Sequence, residues 1–409
     1  MNLSYFISQR LSAGKQSRFT GFIVRISVIA TALSVATMIV STCMVQGFRY
    51  EIANKLYGFW GHIQVRSVVA SLGYDDDPIN ANQLAGLSAV PGIARVQRYA
   101  FKPAIIKTND EIESVVLKGV GEDYDWKTVK EFIVDGKAFT AADTTSPYPV
   151  VLSSETANRL KLKVGDKIQL YFASSYSGSV QMNIRVSVVG GIYKTGLADF
   201  DKIYALCPLT MIQRLNHWQP MQVTGAEVFV DDVDDIERLG RSINEEHVDQ
   251  TLSAKTIRDL YPNLFDWLDL QKTNETIILV LMTLVALVNL MTMLLILILE
   301  RSNFIGIMKA LGGSNGLVRR VFVYQSVYII GRGLLFGNLF GLLICFLEYR
   351  FRFIRLPEDS YFVAYAPVHF DWVFIGLMNA AVFVVSVVVM IVPSWLVSRI
   401  APVKVLRFS

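Results

Sequence analysis

The chain sets long apolar runs against one long polar stretch. Ile26 to Val45, Thr276 to Leu299 and Trp372 to Val397 carry no charged residue, and a helix of about twenty such residues crosses the hydrocarbon core of a bilayer. A fourth run, Val321 to Leu347, is long enough but contains Arg332, which is expected to face protein or snorkel to an interface rather than meet lipid. The pattern therefore predicts spans at 21–47, 273–299, 321–347 and 372–397. They are flanked by an N-terminal segment 1–20, a loop 300–320, a loop 348–371 and a tail 398–409.

Between the first two spans, residues 48–272 change period. "GHIQVRS", "SVVLKGV", "KIQLY", "NIRVSVVGGIY" and "AEVFVDD" alternate or cluster β-branched residues as strands do, while "SETANRLK" and "DDIERLGRSINEE" read as helices. This insertion is α+β. The helix, turn and strand in "SSETANRLKLKVGDKIQL" suggest a β-rich part, about 116–217, nested in a larger unit. The fold class expected is thus a four-span helical membrane protein with a large α+β extramembrane domain.

Charge orients these pieces. Arg10, Lys15, Arg18 and Arg25 precede the first span, Arg301, Lys309, Arg319 and Arg320 sit in the 300–320 loop, and Arg399, Lys404 and Arg407 close the tail. By the positive-inside rule all three segments belong in the cytoplasm, and a large insertion is translocated regardless of its charge. Both termini are expected inside and the α+β domain outside. The net charge is +4, and no nucleic-acid partner is expected. Cys43, Cys207 and Cys345 are isolated in sequence, which supports neither a disulfide framework nor a cysteine metal site.

Motifs for chemistry are missing. Nothing matches G-x-x-x-x-G-K-[ST], the spacing with which backbone amides and a lysine cradle nucleotide phosphates, so ATP hydrolysis by this chain alone is not expected. The four histidines form no H-E-x-x-H, and no G-x-S-x-G elbow is present. No enzyme activity, cofactor or metal is expected. Asp75–Asp77 and the acidic run 231–237 lack the glycine and spacing of a calcium loop and read as a solvated turn and a helix cap.

Two patterns in the second half carry more information. Phe304, Ile307, Met308 and Leu311 fall at i, i+3, i+4 and i+7, one apolar helical face; Gly312-Gly313 supplies a stop, and Ser302 or Asn303 is the expected N-cap. Such a helix either rests on the membrane surface or docks on a cytoplasmic partner. In the third span Gly333, Gly337 and Gly341 recur every fourth residue, a stripe that permits close helix packing within the chain or between subunits.

"ERSNFIGIMKALGGSNGLVRRVF" resembles the cytoplasmic loop of the FtsX/MacB-type ABC permeases, and "PSWLVSRIAPVKVLRF" is similar to that family's C-terminal signature. The N-terminal part, with "RF" before the first span, "GF" after it and a "GHI" strand, looks like the lipoprotein-releasing branch. The resemblance implies a bacterial inner-membrane protein with a porter-like periplasmic domain containing a nested β-rich part. It implies a dimer of separate ATPase subunits that bind ATP and Mg, a second permease subunit, a lipoprotein substrate and a periplasmic chaperone. Phe304, Ile307, Met308, Lys309 and Leu311 then become candidate contacts to the ATPase. A related permease for another amphiphile or peptide, or a non-transporting activator of a cell-wall hydrolase, are the alternatives. An acyl-anchored substrate needs a lateral apolar cavity open to membrane lipid, and Met38, Met44, Met282, Met291 and Met293 are candidates for its adaptable wall. The stretch 172–183 reads as a hairpin, a candidate for recruiting the chaperone.

Overall fold

In the computed structural model, residues 18–69, 78–108, 111–139, 147–176 and 179–395 are described. The N-terminal segment before Arg18, Asp75–Asp77 and the tail from residue 396 lie outside them. The chain divides into two compact units, one built from residues up to 50, 267–355 and from 365 on, the other from 51–266 and 356–364.

The first unit is helical. It holds the part of α1 (Arg18–Trp60) up to residue 50, the part of α2 (Pro262–Glu300) from residue 267, the short α3 (Ser302–Ala310), α4 (Asn315–Phe351) and α5 (Trp372–Trp395). Among the described residues, four helices are long and apolar enough to cross a membrane. α1 and α2 outrun the expected spans. α1 does not stop at 47: Ile52, Leu56, Phe59 and Trp60 are buried at i, i+4, i+7 and i+8, so an amphipathic extension follows the apolar run. Gly61, at φ +70, ends it. α2 starts at Pro262 rather than 273, with proline at the first helical position where its missing N–H costs nothing.

The glycine stripe packs inside the chain. A Cβ on Gly333 would lie 2.7 Å from Thr31 Cγ2, one on Gly337 2.6 Å from Val35 Cβ, and one on Gly341 3.1 Å from Ala36 Cα. These three residues of α4 thus press on α1, and a larger side chain at any of them would force its neighbours on α1 to shift. α4 is also joined to α5, through Asn338 and Asn379, whose side-chain amides exchange hydrogen bonds of 2.7 and 2.9 Å. In an apolar surrounding this satisfied polar pair resists separation of the two helices. The one charged residue of that run, Arg332, is exposed on the surface of the chain and not buried against it. Its guanidinium lies 4.4 Å from the ring centroid of Tyr328, one turn toward the N-terminus of α4, the direction in which helical side chains lean and in which an arginine snorkels.

The second unit is built on a mixed ten-stranded sheet. Its strands run in the order β12-β1-β11-β3-β4-β9-β6-β8-β5, with β7 paired to β3 and β8. They are β1 (Ile63–Ser67), β3 (Ile93–Lys107), β4 (Ile112–Val120), β5 (Ile133–Gly136), β6 (Tyr148–Ser153), β7 (Lys167–Tyr176), β8 (Ser179–Tyr193), β9 (Tyr204–Pro208), β11 (Gly225–Val230) and β12 (Leu252–Thr256); β2 (Ile79–Asn80) and β10 (Gln222–Val223) pair separately. The segment expected to nest as a β-rich part, 116–217, is hydrogen-bonded into this sheet. Its edge at 116 falls inside β4, which pairs antiparallel with β3 and parallel with β9. Ile63, Val65, Leu117, Val150, Leu170 and Val228 are buried in one continuous core.

Candidate functional site

α3 is held between two well-defined boundaries. At its end Gly312 adopts φ +87, the Gly313 N–H donates to the Met308 carbonyl at 2.9 Å and the Gly312 N–H to the Lys309 carbonyl at 3.1 Å, the paired bonds of a Schellman stop. Ser314 then caps α4, its side chain accepting from the Leu317 N–H. The start differs from expectation. Neither Ser302 nor Asn303 is the N-cap; Arg301 is, with no side-chain cap bond. α2 ends at Glu300 and its successor begins at Ser302, which leaves no extended residue from which a hydroxyl or amide could reach back.

The apolar face is also divided. Ile305, outside the expected set, is fully buried with Val318 and Phe322, and Met308 packs against that cluster. Phe304, Met308 and Lys309 are half-buried, whereas Ile307 is 50% and Leu311 80% exposed. α3 therefore rests on its own unit through Ile305 and Met308 and offers Ile307 and Leu311 outward. Two aliphatic side chains left in the open, one on a nine-residue helix and one at its C-cap, make a small preformed knob, each worth about 1.5–3 kcal/mol if a partner buried it.

A second feature is an apolar groove of about 560 Å³, floored by Met38 and walled by α2 and α5. The five methionines named from the sequence do not gather there. Met38 lines the groove, Met44, Met282 and Met291 are half-buried elsewhere, and Met293 is buried in a core cluster. The opposite wall comes from α5, with Phe374, Leu377 and Met378. No periodicity marked that wall, because α5 carries apolar residues around its whole circumference.

In the mixed unit, the helix cap expected from the acidic run 231–237 is present: the Asp232 side chain accepts from the Asp234 N–H, and Asp235 pairs with Arg238 at 2.9 Å. Among the described residues no group of three or more metal-ligating side chains is found. The most buried charges are Lys118 and Glu227, 0% and 1% exposed and 2.6 Å apart. Lys118 also donates to the Phe59 carbonyl in the last turn of α1, and its ammonium lies 4.7 Å from the Trp60 ring centroid and 4.8 Å from that of Phe59. A cation is thus set at the negative end of a helix dipole and on two aromatic faces. Burial pulls the Lys118 pKa down and Glu227 pulls it back up.

Two family models match this chain, a MacB-like periplasmic core domain over residues 26–246 and an FtsX-like permease C-terminal part over residues 276–402. The chain belongs to the family of permeases that join these two parts. More finely, it is 25% identical over 423 residues to the lipoprotein-releasing system transmembrane protein LolE of Haemophilus influenzae, covering 99% of each chain. It is 24% identical to LolC of Xylella fastidiosa (98% of this chain, 97% of the relative) and 26% identical to LolC of Neisseria meningitidis (98% and 97%). Among solved structures, the periplasmic region of MacB from Actinobacillus actinomycetemcomitans is covered to 95% and covers 51% of this chain, at 13% identity and a TM-score of 0.35.

Proposed function

We propose that this permease serves an ABC transporter that extracts lipoproteins from the bacterial inner membrane and passes them to a periplasmic chaperone. The observation that carries the reading is the end-to-end similarity to relatives named for lipoprotein release, over 97% or more of both chains in each of the three. In this reading a separate pair of ATPase subunits binds ATP and Mg, a second permease subunit, identical or paralogous, completes the complex, and both termini are cytoplasmic.

α3 is the coupling helix. Ile307 and Leu311 enter a groove of the ATPase, Phe304, Met308 and Lys309 border that contact, and Ile305 transmits the push into the helical unit. The groove between α2 and α5 takes acyl chains. Its apolar lining suits hydrocarbon, and Met38 and Met378 in that lining adapt to chains of different shape. Purification of the complex from its native membrane, followed by identification of what co-elutes, tests the reading. An ATPase and an acylated lipoprotein are expected. An ATPase with a cell-wall hydrolase and no lipoprotein would overturn it.

A further inference from the structure

Cys43 and Cys345, far apart in sequence, meet in the structure. Both side chains are buried, 0% and 2% exposed, in one cluster with Val35, Met38 and Ile39. Cys207 is buried in the core of the mixed unit instead.

The meeting follows from the register of α1 and α4. Gly333 packs on Thr31, Gly337 on Val35, and Gly341 on Ala36 and Ile39. Continuing by one turn on each helix puts residue 345 beside residue 43. The glycine rungs draw the two backbones so close that a Cβ has no room. A disulfide requires Cα atoms roughly 4.4–6.8 Å apart, and helices packed this closely bring facing residues toward that range. The turn carrying Cys43 is also held from outside: the His369 N–H donates to the Cys43 carbonyl at 3.0 Å, the His369 ring stacks on Tyr50 at 4.6 Å, and Gly47 abuts the Pro367 carbonyl.

We propose that Cys43 and Cys345 form a dithiol redox site whose oxidation links α1 to α4 by an intrachain disulfide. The oxidant is a disulfide-bearing thiol oxidoreductase of the cell envelope, a compartment in which disulfides persist. One cysteine thiolate attacks the oxidant's S–S bond and forms a mixed disulfide; the second thiolate attacks that bond and closes the Cys43–Cys345 linkage. Two S–H bonds are lost and one S–S bond is made, and the two electrons and two protons leave on the oxidant as its dithiol. Because both sulfurs are buried, the reaction proceeds when α1 and α4 part around residues 43 and 345, and the linkage then holds them together. Only the envelope location of the oxidant rests on the proposed orientation; the pairing of the two thiols does not.

The test uses the full chain in its membranes, treated with copper-phenanthroline, which catalyses thiol oxidation by dioxygen and enters apolar regions. Remaining thiols are alkylated in denaturant and the digest is examined by mass spectrometry. A linked peptide joining residues 43 and 345 is expected, released by dithiothreitol and lost in Cys345→Ser and in Cys43→Ser, while Cys207 stays alkylated. Full alkylation of Cys43 and Cys345 with no linked peptide in the wild-type chain would overturn the proposal. So would a Cys43–Cys43 linkage between two copies, seen as a dimer on a non-reducing gel.

Discussion

Lys118 and Glu227 sit where desolvation is most costly, so their value lies in being paired. Removing one partner of a buried pair leaves an uncompensated charge or donor and costs about 3–5 kcal/mol, whereas replacing both by apolar residues can be close to neutral. Glu227→Leu alone is therefore expected to lower the thermal unfolding midpoint of the purified chain markedly, and Lys118→Met with Glu227→Leu to recover most of the loss. An equal loss in single and double variants would show that the pair has no special role. His62 works in the opposite sense, as a base kept neutral. Its Nδ1 accepts from the Val230 N–H at 3.0 Å, and burial together with the nearby Arg95 lowers its pKa to about 4. The unfolded chain takes up a proton near pH 6.5 that the folded chain refuses, so stability is full above that pH and declines as pH falls toward 4. His62→Gln, which keeps an acceptor and cannot titrate, should flatten that decline in melts recorded across the interval.

At the scale of elements, the contact between α1 and α4 depends on missing side chains. Gly337→Ala puts a methyl 2.6 Å from Val35 Cβ and is expected to destabilise the helical unit by about 1–3 kcal/mol, as overpacking does. Gly331 lies on the same helix with nothing within 4 Å of an added Cβ. Gly331→Ala is therefore expected to be neutral or to stabilise by about 0.5–1 kcal/mol, the ordinary gain of alanine over glycine within a helix. Detergent-solubilised melts of the two variants should move in opposite directions. α3 shows how far such detail is legible in sequence. Its stop was readable because Gly312-Gly313 follows the last apolar position. Its inward anchor was not, because Ile305 lies one position off the i, i+3, i+4, i+7 set, and only the packing of Val318 and Phe322 selects it.

For the whole molecule, the strongly periodic elements were legible: the apolar runs, and strands such as β1, β4, β8 and β11, whose β-branched residues alternate. The extension of α1 beyond residue 47 was hidden by Arg49, Glu51 and Lys55, charges that interrupt the apolar run without breaking the helical spacing of Ile52, Leu56 and Phe59. β3 was obscured by Pro103, which argues against a strand on sequence grounds yet sits opposite Val116 in the sheet. The groove and the Cys43–Cys345 meeting depend on which helices lie side by side, which no single-chain period encodes. As proposed, this permease turns ATP hydrolysis by a partner into release of an acylated protein, through α3. The most direct measurement reconstitutes the complex in lipid vesicles carrying a lipoprotein and follows ATP-dependent transfer to a soluble chaperone. The wild-type chain should release the lipoprotein, and Ile307→Asp with Leu311→Asp, both outward-facing, should insert normally yet lose ATPase association and release together. Undiminished release by that double variant, or no release by the wild-type complex despite ATP turnover, would contradict the account.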